Sequence, residues 1–138
     1  MMKPSPDPAA EAPPERHACY ILRCTQSGRT YNGYTNHMAR RLRQHNRELV
    51  GGARATGRGG PWEVIAVVVG DAAFTHTRAL SLEWHIRYPT GRRPRPRSYD
   101  GAGGRIAGLA LALKHPKFVD LALTAHVLPQ FLPIASVK

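Results

Sequence analysis

Glu83 lies between Leu82 and Trp84 in a stretch with helical periodicity. With Ala79, Leu82 and Ile86 it completes an i, i+3, i+4, i+7 face expected to point inward. A lone carboxylate on such a face is costly unless a cation or an arginine satisfies it. Hard cations at nucleic-acid sites take one carboxylate, several waters and a substrate phosphate, so Mg²⁺ or Mn²⁺ is one candidate partner. An ion pair with Arg41 or Arg87 is the alternative. Arg41, three residues after Met38 and four before His45, borders an apolar stripe and can be aimed along a sheet surface toward a phosphate. His45, inside that stripe, is either a hydrogen-bonded core residue or a group for proton transfer or phosphate contact. Tyr20 and Tyr31 sit in strand-like segments, where tyrosines usually pack. If the turn joining those segments has an even number of residues, both phenols share one face and can reach one water. Hydrolysis of a phosphodiester needs a proton acceptor, positive charge at phosphorus and, in many enzymes, a divalent cation at the leaving oxygen, and these five residues can supply all three.

The elements that must position them can be read from pattern. HACYILRC and GRTYNGYT read as two strands of a hairpin turning around Ser27-Gly28. Asn36 is expected to cap a helix to about Leu49, with Met38, Leu42, His45 and Leu49 facing the sheet. GGARATGRGGP, with five glycines, reads as an exposed basic loop, and WEVIAVVVG as a strand buried on both faces at the sheet centre. A second helix runs from about Thr75 to Tyr88 and stops before Pro89. TGRRPRPRSYDGAGG reads as a basic Pro/Gly loop, IAGLALALKH as a helix, and FVDLALTAHVL as a helix or a strand. The expected fold is α+β: a small three-stranded, mainly antiparallel sheet covered by helices, with extra C-terminal helices. Residues 1–16 are expected to form a disordered Pro/Ala-rich tail and 17–138 one domain, its core at 17–89 and a basic loop with helical extension at 90–138.

The formal charge of +11 over 138 residues points to a polyanionic partner, nucleic acid first. From His17 to Gly60 there are eight arginines against one acid, Glu48, and from Pro89 to Arg105 five against Asp100. This uneven clustering favours phosphate contact over a merely solvated surface. No apolar stretch is long enough to span a membrane and no secretory core is evident, so an intracellular, soluble protein is expected. Cys19 and Cys24 lack the partners for a zinc site and are expected to be reduced thiols in or near a strand.

Ala18-Cys19-Tyr20 followed after ten residues by Tyr31-Asn32-Gly33 resembles the paired tripeptides of the GIY-YIG nucleases. ARRLRQHN at Ala39–Asn46, GGARATGRGGPWEV at Gly51–Val64 and ALSLEWHIRYP at Ala79–Pro89 follow in order. The series is similar to the catalytic subunit of the eukaryotic endonucleases that trim flaps and resolve junctions, over roughly Ala18 to Leu132. The resemblance implies the GIY-YIG fold and a metal-dependent endonuclease acting on branched DNA in repair or recombination. It carries the family's two tyrosines to Tyr20 and Tyr31, its helix arginine to Arg41, its histidine to His45 and its metal-binding glutamate to Glu83. Tyr31 is then the general base, needing a nearby cation to lower its proton affinity, and Tyr20 a supporting hydrogen-bond partner. Arg40, Arg43, Arg47, Arg54, Arg58, Arg92 and Arg93 are assigned to DNA backbone contacts and Tyr34 to a substrate contact.

Ala18 replaces a glycine of the pattern and Asn32 an apolar residue, neither of them a catalytic group. The eukaryotic subunit carries a C-terminal RING-type zinc domain whose ligands do not follow here, which leaves dependence on a scaffold protein open, with a homodimer as an alternative. Other readings are a less selective or single-strand nuclease, and a non-catalytic nucleic-acid-binding module, to which Arg58-Gly59-Gly60 adds a single weak motif. RRPRPR at Arg92–Arg97 reads as a phosphate-tracking loop or an import signal. The expected location is the nucleus for a eukaryotic or viral source and the cytoplasm otherwise.

Overall fold

The computed structural model describes residues 2–11, 16–48, 51–52, 56 and 60–132. Strand β1 (Met2–Pro4) and a short helix α1 (Pro8–Glu11) precede the hairpin of β2 (Ala18–Cys24) and β3 (Thr30–Thr35). Helix α2 (Met38–His45), strand β4 (Trp62–Val69), helix α3 (His76–Arg87), helix α4 (Gly101–Leu113) and strand β5 (Thr124–Val127) follow. The strands form one sheet in the order β1-β5-β4-β2-β3, antiparallel except for the parallel pair of β1 and β5.

The α+β class and the three expected strands are present, the latter side by side as β4-β2-β3. The apolar run of β4 lies between β2 and β5, where both faces are covered. On one face Tyr20, Leu22, Val67 and Val69 pack with Met38 and Leu42 of α2. On the other, Cys19, Ile21 and Val68 pack with Ala79, Leu82 and Ile86 of α3 and Ile106 and Leu109 of α4. Helices α2 and α3 therefore cover opposite faces, and β3 is the open edge between them. Both cysteines are free thiols within β2. No helix among the described residues is long and apolar enough to cross a membrane.

Four expectations need correction. The sheet has five strands, because β5 and β1 are added beyond β4. Residues 2–11 are not a disordered tail: Met2, Lys3 and Pro4 pair with Ala125, His126 and Val127, and the Ser5 amide donates to the Val127 carbonyl at 3.0 Å. An edge strand this short buries too little to leave a hydropathy signature, and it tolerates a proline. The short helix behind it does carry a local signal, since the Asp7 carboxylate accepts from the Ala9 amide and Pro8 occupies the first turn. The C-terminal part is one helix and then a strand, not a wholly helical extension. Helix α2 is shorter than expected: His37, not Asn36, is its cap, its side chain accepting from the Arg40 amide. At its end the Asn46 side chain pairs with both backbone groups of Trp62, at 2.7 and 2.9 Å, and Arg47 turns into the left-handed region. Leu49 lies outside the described residues.

Candidate active site

The β2–β3 hairpin closes through a four-residue turn, Thr25 to Gly28, with the Cys24 amide donating to the Arg29 carbonyl at 2.8 Å. Register follows from that even count: Tyr20 opposes Gly33 and Leu22 opposes Tyr31, so the two phenols lie on the same face. Their rings are 6.4 Å apart. Tyr20 reaches across β3 directly over Gly33, where a Cβ would stand 2.5 Å from its hydroxyl oxygen. The glycine of the second tripeptide is thus required by close approach of a side chain, not by turn geometry.

Helix α2 brings Arg41 and His45 to this face. The Arg41 Nε–H donates to the Tyr20 hydroxyl at 3.3 Å, and its Nη1 donates to the Gln44 side chain at 2.9 Å and the Gly51 carbonyl at 2.7 Å. Its Nη2 makes no hydrogen bond among the described residues, so a guanidinium pinned on one side leaves donors for an anion. The Tyr20 hydroxyl and His45 Nε2 are 2.8 Å apart, and His45 Nδ1 and the Thr56 hydroxyl 2.7 Å. The Tyr20 hydroxyl accepts from Arg41 and shares a second bond with Nε2, and the ring's other nitrogen is engaged by Thr56. Burial, with the charges of Arg41 and Arg47, pushes His45 down to about 4, which keeps the ring neutral. Burial also drives the Tyr20 phenol well up, against the bond and charge of Arg41 and with the charges of Tyr31 and Glu83. Tyr20 is 1% exposed and holds its proton, whereas Tyr31 is partly exposed, its ring 5.2 Å from His45.

Of the two expectations for His45, its 1% exposure with both nitrogens engaged favours the hydrogen-bonded core residue, which orients Tyr20. Thr56, fully buried within the Gly/Arg stretch, was hidden in the sequence by its glycine neighbours. Only its burial against Trp62, whose indole N–H donates to its carbonyl at 3.1 Å, shows its part.

Glu83 comes from the opposite face. It borders the buried stripe of α3 and does not point wholly inward: its side chain is 23% exposed. Its nearest cation is Arg87, one helical turn on, at 3.8 Å, so of the two expected ion pairs the structure shows the one with Arg87. An i, i+4 pair of this kind contributes only about 0.3–0.5 kcal/mol. No hydrogen bond reaches the carboxylate among the described residues, and burial raises its proton affinity against the pull of Arg87. The Asn32 side chain of β3 donates to the Glu83 backbone carbonyl at 3.2 Å, which holds this turn of α3 against the edge strand. No group of three or more His, Cys, Asp or Glu able to hold a metal exists among the described residues. A half-buried, under-partnered carboxylate fits the other mode of binding, one protein oxygen plus water and substrate oxygens.

Asn32, the departure from the apolar pattern, is buried and bridges the two helices. It donates to the Glu83 carbonyl at 3.2 Å and accepts from the Arg105 guanidinium of α4, which also donates to Thr30 at 3.1 Å. Burial, then the charges of Arg95 and Arg87, lowers Arg105 to about 10, so it remains a cation. An isolated arginine in a Gly/Ala-rich helix carried no pattern linking it to Asn32.

The remaining arginines are dispersed. Arg40, Arg43 and Arg47 are exposed on α2 and its end, Arg43 pairing with Glu48 at 3.4 Å. Arg92 and Arg93 are exposed on the loop before α4, Arg93 lying 5.5 Å over the Tyr88 ring. Arg54 and Arg58 lie outside the described residues. Tyr34 is on the other face of β3, its hydroxyl 2.6 Å from His17 Nδ1, so it does not join Tyr20 and Tyr31.

Two phenols, a guanidinium with free donors, a buried imidazole and a carboxylate paired, among the described residues, only with Arg87 meet one open sheet edge in a small α+β domain. The chain belongs to the GIY-YIG family: the GIY-YIG catalytic domain matches residues 16–95, which contain all five residues above. A structure-specific endonuclease subunit SLX1 homolog of Giardia intestinalis is 46% identical over 79 residues, 55% of this chain and 21% of that protein. A protein of the same name from Leishmania major is 38% identical over 122 residues, 80% of this chain and 17% of the relative. The structure-specific endonuclease subunit SLX1 of Mus musculus is 36% identical over 124 residues, 81% and 45% respectively. The chain spans less than half the length of each of these relatives.

Proposed function

We propose that this chain is an endonuclease that hydrolyses phosphodiesters in branched DNA with a divalent cation. The observation that carries the reading is the chain of bonds from Arg41 through Tyr20 and His45 to Thr56, which fixes Arg41 on Tyr20, whose ring lies 6.4 Å from that of the partly exposed Tyr31. The Arg41 Nη2 donors hold the scissile phosphate and stabilise its developing charge. Tyr31 takes the proton of the attacking water on its phenolate oxygen, after its own phenol proton has passed to solvent. Tyr20 stays protonated and, held by His45, keeps Arg41 in place. Glu83 would hold Mg²⁺ or Mn²⁺, which supplies charge stabilisation at the leaving oxygen. The charge of +11, with Arg40, Arg47, Arg92 and Arg93 exposed, supplies salt-sensitive attraction for the rest of the duplex. Preference for branched DNA rests on the three similar endonuclease subunits.

The test is cleavage of labelled flap, splayed-arm, four-way and single-stranded DNA in Mg²⁺, Mn²⁺ and EDTA. Cutting at branch points that stops in EDTA is expected. Equal cutting of unbranched single strands indicates a less selective nuclease, and binding without cutting in every metal a non-catalytic module; either contradicts the proposal.

A further inference from the structure

Beyond the catalytic face, three rings gather around β3. His17 and Tyr34 stack with centroids 5.7 Å apart and planes 27° from parallel, and His76, at the start of α3, lies 5.0 Å from Tyr34. These rings line a groove of about 470 Å³ that runs to Arg40, Arg41 and Gln44, with no acidic residue in its walls among the described residues. The same two histidines border a second hollow of about 570 Å³ beyond them. The groove therefore connects the guanidinium assigned to the scissile phosphate with an aromatic cluster outside the proposed chemistry.

We infer that this groove takes an unpaired DNA strand leaving the cleavage site, with a base stacked on the His17–Tyr34–His76 cluster and the adjoining phosphates near Arg40 and Arg41. The inference rests on the endonuclease reading and adds to it the feature by which a single-stranded arm is recognised. Rings beside cations are the recurrent means of holding single strands without sequence preference, since every base offers a π face. Bases inside a duplex already stack on their neighbours and cannot offer that face. The platform is also pre-set, because Tyr34 is fixed by its bond to His17 and needs no reordering when a base arrives. Charge reinforces the choice of ligand: Arg40 and Arg41 suit phosphates.

The test uses the whole chain carrying Glu83→Gln in EDTA, so that DNA is bound and not cut. Anisotropy is read on three labelled DNAs: a branch with a short unpaired arm, the same branch with that arm made duplex, and a nicked duplex without an arm. His76→Ala, an exposed change whose helix keeps Thr75 as its cap, is expected to weaken binding of the unpaired-arm DNA roughly tenfold, the scale of one base–aromatic stack, and to leave the other two unchanged. His76→Tyr is expected to restore it. Equal weakening on all three DNAs, or none on the first, overturns the inference. Cleavage by the unaltered chain is scored separately. Selective loss in His76→Ala without any cleavage by the parent sinks the endonuclease reading but not the groove; cleavage at branches without selective loss does the reverse.

Discussion

Substituting alanine for Gly33 places a methyl group 2.5 Å from the Tyr20 hydroxyl oxygen and 2.7 Å from its ring carbon Cζ. Ordinary carbon–carbon contact begins near 3.5 Å, so the ring must retreat by about 1 Å. Tyr20 is 1% exposed and bonded on both sides, which leaves no free direction for that movement. Overpacking of about 1–3 kcal/mol and a stranded imidazole nitrogen of about 1–3 kcal/mol oppose a gain of about 0.5–1 kcal/mol from alanine over glycine in a strand. The expected net loss of stability is about 2–4 kcal/mol, read by urea unfolding. Arg41 loses its Tyr20 anchor as well, and a misplacement of this size lowers cleavage of a flap DNA about a hundredfold. Adding Tyr20→Leu makes room for the methyl and is expected to recover much of the stability but not the cleavage. If Gly33→Ala unfolds within about 0.5 kcal/mol of the parent and cuts at the parental rate, the reasoning about Tyr20 is refuted.

Further outcomes follow from the same geometry. His45, held near 4 against an ordinary value of about 6.5, takes up its proton in the unfolded chain first; stability should be full above about pH 6.5 and fall by about 3 kcal/mol as pH drops toward 4. Urea midpoints across that window should show a flatter profile for His45→Gln, and an identical slope would contradict the assignment. Asn32→Leu leaves the Arg105 guanidinium buried with only Thr30 and should cost about 2–3 kcal/mol in urea unfolding, whereas Asn32→Leu with Arg105→Met should recover most of it. Arg41→Ala should abolish cleavage while DNA binding stays strong and salt-dependent, because several other arginines share the phosphate contacts.

Much of the fold was legible because its signals are local. The parity of a short turn put Tyr20 and Tyr31 on one face. Thr75 and Pro89 bracketed α3, and the unbroken apolar run of Trp62 to Val69 marked the central strand. What escaped depends on partners distant in sequence. Strand β1 exists only because β5 offers an edge, and β5 is too short for its alternation to exclude a helix. His37 rather than Asn36 begins α2 because the Thr35 hydroxyl accepts from the His37 amide and turns the chain one residue later. Motif and periodicity singled out Tyr20, Tyr31, Arg41, His45 and Glu83, but not how they are arranged: nothing in the spacing shows that His45 is sealed behind Tyr20, or that Asn32 joins Arg105 to the backbone of Glu83. These relations arise where two helices on opposite faces meet one edge strand.

On the proposed mechanism Glu83 serves the reaction through its negative charge, beside the β3 edge to which Asn32 ties its backbone. Single-turnover cleavage of a flap DNA at saturating protein, comparing the parent with Glu83→Gln in Mg²⁺, tests it most directly. Metal-dependent cutting by the parent is expected, and none by the variant at unchanged DNA affinity. A Glu83→Gln protein that cuts at near-parental rate would contradict it.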